Sequence, residues 1–152
     1  DGVLAWGTYV VQQDKQGKFD KNIGTEYALF IEIDCNHYIF LDHISNPVEK
    51  IRAVLPKEPA ESSATQNVSS PIVLKAGEKI AETTGTQGGI WDFGVFDRRV
   101  KLKFPDFVKD IHQRHEQGIC PYGFYNGEKR KKYEALFDRN YPTMRRVIEV
   151  CM

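Results

Sequence analysis

The chain has 152 residues, with 21 Lys+Arg against 21 Asp+Glu and a formal net charge of zero. Hydrophobic residues make up 41% and aromatics 12%, which suits a packed core and excludes a disordered, collagen-like or coiled-coil chain. Length bounds it to one domain, or one domain with an appendage. Balanced charge argues against nucleic acid or an anionic membrane as the main partner, and no apolar run approaches the roughly 18 residues of a transmembrane segment.

From Asp1 to about Arg52 the text is strand-like. Val3 to Gln12 carries Trp6, Tyr9, Val10 and Val11, aromatic and β-branched residues that fit a half-buried pleat. Asp14 to Gly24 is a polar, glycine-punctuated loop. Glu26 to Ile33 alternates, with Tyr27, Leu29, Ile31 and Ile33 on one face. Asp34-Cys35-Asn36 supplies turn chemistry, and His37 to Leu41 is a second strand, so the pair is expected to form a β-hairpin.

Lys57 to Ser70 is small, polar and aperiodic, and residues 53–72 are expected as a long exposed loop. It includes a glycosylation sequon, Asn67-Val68-Ser69. Short strands are expected at Pro71 to Lys75 and at Lys79 to Ala81, and a last strong strand at Ile90 to Phe96. After Val100 the apolar period lengthens to 3.6, with Phe104, Phe107, Val108 and Ile111 on one helical face and Gly118 as its stop. A second helix is expected from about Glu128 to Asp138, burying Tyr133, Leu136 and Phe137. The expected organisation is therefore a β domain over residues 1–100 and a helical C-terminal extension over 101–152 packed on it.

Several motifs invite chemistry. Gly85 to Gly89 opens a strand rather than a helix, so a tight hairpin is expected there and not a phosphate loop. His112 and His115 share a helical face and could chelate a metal with Cys120, but a second ligand pair and an acidic general base are lacking, so a solvated face is preferred. Lys129 to Lys132 is expected as a solvated basic helix face. The aromatic turn Pro121 to Tyr125 is expected to pin the extension onto the β body. Three cysteines fit one disulfide with a leftover thiol, or three reduced thiols; if any pair bridges, Cys120 with Cys151 is the expected one.

Four segments in order carry a resemblance over about residues 1 to 97. They are Asp1-Gly2-Val3; the pair Tyr27 to Ile33 and Tyr38-Ile39-Phe40-Leu41-Asp42-His43-Ile44-Ser45; Val73 to Ala81; and Thr84 to Val95. This series resembles the lysostaphin/LytM-type zinc metallopeptidases, cell-wall endopeptidases with an Asp-Gly-x-Val step, a Tyr-x-His-Leu-Ser segment and a closing His-x-His-Phe-Glu-Val strand. The resemblance implies a mainly β, duplicated-hybrid-motif (lysostaphin-like) antiparallel sheet or barrel.

The departures from that pattern bear on activity. The two closing histidines are replaced by Ile90 and Asp92. An isoleucine carries neither a proton nor a ligand, and a lone carboxylate falls short of a zinc site. The family's His-x-x-x-Asp ligands would precede Asp1. That start, which lacks an initiator Met and falls inside the family pattern, suggests a mature, trimmed or partial chain. Only His43 lands on a functional family position, and it could equally cap a strand end. The resemblance then implies a catalytically inactive domain in the periplasm or outside the cell. It would bind a peptidoglycan-like glycopeptide or an envelope protein, with His43, Trp91, Asp92 and Tyr38 lining the remnant groove and no cofactor. Zinc enters only under the alternative of an active endopeptidase with ligands upstream. A second alternative is a secreted protein-interaction domain unrelated to peptidases.

Overall fold

A computed structural model describes residues 1–62, 64, 66–82, 91–103 and 113–140. By its internal contacts the chain divides into two units, Asp1–Phe96 and Asp97–Met152, whereas the expected boundary followed Val100. The expected helix face at Phe104, Phe107, Val108 and Ile111 and the glycine turn 85–89 lie outside the described residues.

The first unit is mainly β, as expected. Its strands are β1 (Gly2–Val11), β2 (Thr25–Glu32), β3 (His37–Ile44), β4 (Asn46–Pro47), β5 (Gln66–Leu74), β6 (Ala81–Glu82) and β7 (Asp92–Asp97, whose last residue begins the second unit). A short helix, α1, spans Glu49–Arg52. The sheet order is β5-β1-β2-β3-β7, and β4 pairs separately with β6. β1 is antiparallel to both β2 and β5, and β2 is antiparallel to β3. The expected hairpin is present: Asp34 closes it by accepting backbone N–H groups from Asn36 and His37, each at 2.8 Å.

The period of two sends Leu4, Tyr27, Leu29, Ile31 and Leu41 to one face, where Ile51, Leu55, Val68 and Leu74 complete the main core. Ile33, expected on that face, is 45% exposed because the strand has already ended. The opposite face carries a smaller aromatic cluster of Ala28, Tyr38, Phe40 and Phe96, with Phe30 beside it.

The segment expected as an exposed loop over 53–72 is in fact anchored. Leu55 is 2% exposed, and its Cδ2 fills the space above Gly7, where a Cβ would stand 2.4 Å away. Val11 donates to Ala60 O at 3.0 Å, and Ala60 donates back to Tyr9 O at 2.9 Å. β5 begins at Gln66, earlier than the strand expected from Pro71. Opposite Ala5 the register of β5 jumps from Ile72 to Asn67, so Val68 to Pro71 arch away from β1. The arch explains how a proline sits inside a strand, since its missing N–H falls where the ladder is already broken. Val68 points into the core, and Ser69 N–H reaches Val54 O at 2.9 Å. Lys57, Glu58, Glu61 and Ser62 do stay exposed.

The second unit contains α2 (Gln113–Glu116), β8 (Gly118–Ile119), a 3-10 turn (Pro121–Phe124) and α3 (Gly127–Asn140). Asp97 is 7% exposed; its carboxylate is gripped by the Arg99 guanidinium, and its N–H donates to Gln117 O. Asn126 Oδ1 caps α3 by accepting the Lys129 N–H at 3.0 Å, which fixes a start close to the expected Glu128. Lys129, Lys131 and Lys132 are exposed, and Phe124 is 59% exposed. The side chains of Tyr133, Leu136 and Phe137 lie outside the described residues. Cys120 is disulfide-bonded, while Cys35 carries an exposed thiol. The expected partner of Cys120, Cys151, is outside the described residues.

Candidate functional site

Between the pairs Leu29↔Leu41 and Tyr27↔Ile44, β3 has two residues, Asp42 and His43, opposite the single residue Ala28 of β2. This is a β-bulge, a device that re-aims side chains and bends the strand. His43 takes φ +59, among the described residues the one non-glycine position with positive φ. Histidine visits that region more readily than most residues, though at a cost. Asp42 Oδ1 supports the bend by accepting the His43 N–H at 2.8 Å.

Three carboxylates converge on this bulge. His43 Nδ1 lies 3.0 Å from Glu26 Oε2, and its Nε2 lies 4.0 Å from Asp92 Oδ2. One ligand atom each from Glu26, Asp42 and His43 fall within 4.8 Å of one another. By the two-residue period, Glu26 follows Ala28, Asp42 follows Phe40, and Asp92 shares its face with Phe96. The charged group therefore continues the aromatic strip along one side of the sheet, across β2, β3 and β7. Glu26 and His43 are mostly shielded, with side chains 14% and 31% exposed, whereas Asp92 is 62% exposed.

The electrostatics favour an imidazolium. Burial pushes His43 down, but the Glu26 hydrogen bond and the charges of Asp42, Glu26 and Asp92 outweigh it, leaving the group above its ordinary 6.5. With all four groups ionised, three negative charges meet one positive. Chemically the site is a cation-attracting, hydrogen-bond-accepting patch with a proton-carrying centre.

Two of the four expected groove residues come together here, His43 and Asp92. Tyr38 lies on the same face five residues along β3, but it is 8% exposed and stacks on Phe96 with ring centroids 4.9 Å apart. It contributes packing there. Trp91 turns the other way: its ring sits 6.1 Å from that of Phe93, which packs on the main core, and it is 49% exposed. Ile90 and His112 lie outside the described residues, as does the side chain of His115.

Glu26 and Asp42 were not among the expected site residues. Glu26 reads in sequence as a solvent-side residue of an alternating strand, and Asp42 as part of a strand end. Their signal was the adjacency Asp42-His43 at the close of a strand, opposite a strand that opens on an acid. Comparison with protein-family models, with curated proteins and with solved structures gives no match for this chain.

Proposed function

We propose that the first unit is a catalytically inactive, peptidase-like binding domain of the lysostaphin/LytM kind, and that the patch at His43 and Asp92 receives a cell-envelope ligand. On this reading the fold is a duplicated-hybrid-motif domain, and the protein works in the periplasm or at the cell exterior. The observation that supports it is the meeting of His43 with Asp92 across β3 and β7. Those two positions correspond, in the resemblance, to the histidine near the scissile bond and to the second closing histidine. Aspartate at residue 92 and isoleucine at residue 90 remove the closing pair of histidines, which favours binding over hydrolysis.

The net negative patch suits a ligand that presents ammonium or guanidinium groups, as peptidoglycan stem peptides with free amines do. Calorimetric titration with soluble peptidoglycan fragments tests the reading. Saturable binding that weakens about tenfold in Asp92→Asn, with no fragment cleaved, is the expected result. Chelator-sensitive cleavage would favour the active endopeptidase instead, and absence of both binding and cleavage would remove the glycopeptide ligand and leave an envelope protein as the partner to test.

A further inference from the structure

We propose that Glu26, Asp42 and His43 form a binding site for a divalent first-row transition cation of the Zn2+ type, with Asp92 steadying the imidazole from its far side. This proposal stands on the geometry of the bulge and does not rest on the peptidase-like reading. None of the three donors corresponds to a metal ligand in the LytM pattern, in which the ligands precede Asp1 or sit on the closing strand.

Several features converge on a cation. The donor set is one imidazole nitrogen and two carboxylate oxygens, a mixture that suits Zn2+ and its neighbours and disfavours Ca2+ and Mg2+, which prefer oxygen alone. Its atoms are already clustered: His43 Nδ1 and Glu26 Oε2 are 3.0 Å apart, and one ligand atom from each of the three residues falls within 4.8 Å of the others. A cation bonded at about 2.0–2.2 Å to each donor spans at most about 4.4 Å between donors, so a small side-chain rotation closes the set.

The imidazole is also oriented for the role. Nδ1 faces Glu26 and Nε2 faces Asp92, so a cation on the Nδ1 side leaves Nε2–H directed at a carboxylate. At 4.0 Å this is longer than a hydrogen bond, and a small shift of the exposed Asp92 side chain would complete the carboxylate–histidine–metal arrangement, in which the outer acid fixes the tautomer and ring orientation. The bulge explains why donors two strands wide can meet: without the extra residue in β3, His43 would not stand beside Asp42 over Ala28. Finally, a cation at Nδ1 displaces the proton there, and the neutral imidazole then shares the site with three carboxylates, whose negative charge a divalent cation offsets.

The test is calorimetric titration of the full chain with ZnCl2 and, separately, MnCl2 near pH 7.5. The expected result is one Zn2+ per chain, at least tenfold weaker in Glu26→Gln and in Asp42→Asn, and about tenfold weaker in Asp92→Asn. His37→Asn, a change in the hairpin turn, leaves the affinity unchanged. Two results overturn the proposal: no Zn2+ binding up to millimolar concentration, or stoichiometric binding that survives both Glu26→Gln and Asp42→Asn. Should a variant fail to fold, the wild-type protein still decides. A 15N imidazole resonance assigned to Nδ1 of His43 shifts on adding Zn2+ if the proposal holds, and stays in place if the metal binds elsewhere. Because the readout is metal binding alone, loss of fragment binding leaves this result untouched, and the reverse also holds.

Discussion

His43 Nδ1 lies 3.0 Å from Glu26 Oε2, a bond between neighbouring strands that exists because β3 carries one residue more than β2 needs. Its energetic consequence depends on pH. The folded value of His43 is raised above 6.5, so its contribution to stability is fully present below 6.5 and lost as pH rises through the folded value. The side chain is partly exposed, so the gain is expected to be below about 1 kcal/mol. Urea unfolding between pH 6 and 8.5 should show stability falling with pH, and the slope should flatten in His43→Gln.

The backbone at His43 gives a second expectation. At φ +59 a β-branched side chain is strongly disfavoured, whereas Asn and Gly are tolerated. His43→Val should therefore be less stable than His43→Asn by about 1–2 kcal/mol, although both delete the imidazole. Equal stabilities in denaturant titrations would mean that the bulge does not hold this conformation.

Gly7 and Leu55 form a tight fit between β1 and the segment after α1. A Cβ on Gly7 would meet Leu55 Cδ2 at 2.4 Å and Ala28 O at 3.0 Å. Gly7→Ala is expected to cost about 1–3 kcal/mol by overpacking. Leu55→Ala should cost about 2–5 kcal/mol, where a side chain on a solvated loop would cost almost nothing. In the double mutant the two costs should sum to less than their separate values, because the methyl of one occupies space vacated by the other.

The hairpin turn responds at the acid end. Asp34 accepts backbone hydrogen bonds from Asn36 and His37, and a side-chain bond from His37, which together hold its carboxyl down to about 2 from 3.8. A depressed value contributes stability above 3.8 that is lost as pH falls toward 2. NMR titration of the Asp34 carboxyl should find this low midpoint, and Asp34→Ala should remove that part of the acid limb.

The hairpin β2–β3 was legible in sequence because Tyr27, Leu29 and Ile31 alternate cleanly and Asp34-Cys35-Asn36 supplies turn chemistry. The bulge was not, because an extra Asp-His at the close of a strand has no period of its own. The anchoring of residues 53–60 was hidden for a related reason. It hangs on Ile51, Val54 and Leu55, a short apolar cluster ahead of a Pro-, Lys- and Glu-rich stretch, and on backbone bonds of Ala60 that no side-chain pattern advertises. His43 and Asp92 were singled out through a family resemblance. Glu26 emerged only once register placed it beside the bulge, and Trp91, which precedes β7, lies with its ring 6.1 Å from that of Phe93.

β1 takes its second partner from far along the chain: Gly2 lies opposite Leu74, and Asp1 accepts the Ala76 N–H at 3.0 Å. The β2–β3 hairpin closes through a turn of a few residues, so it can zip while later segments are still being synthesised. The outer edge of β1 must wait for β5. Until then it presents a row of unpaired amides and carbonyls, which is a template for another nascent copy. Truncations ending before Gln66 should accordingly associate through that edge, and the yield of folded protein should depend on how quickly the second half of the sheet arrives.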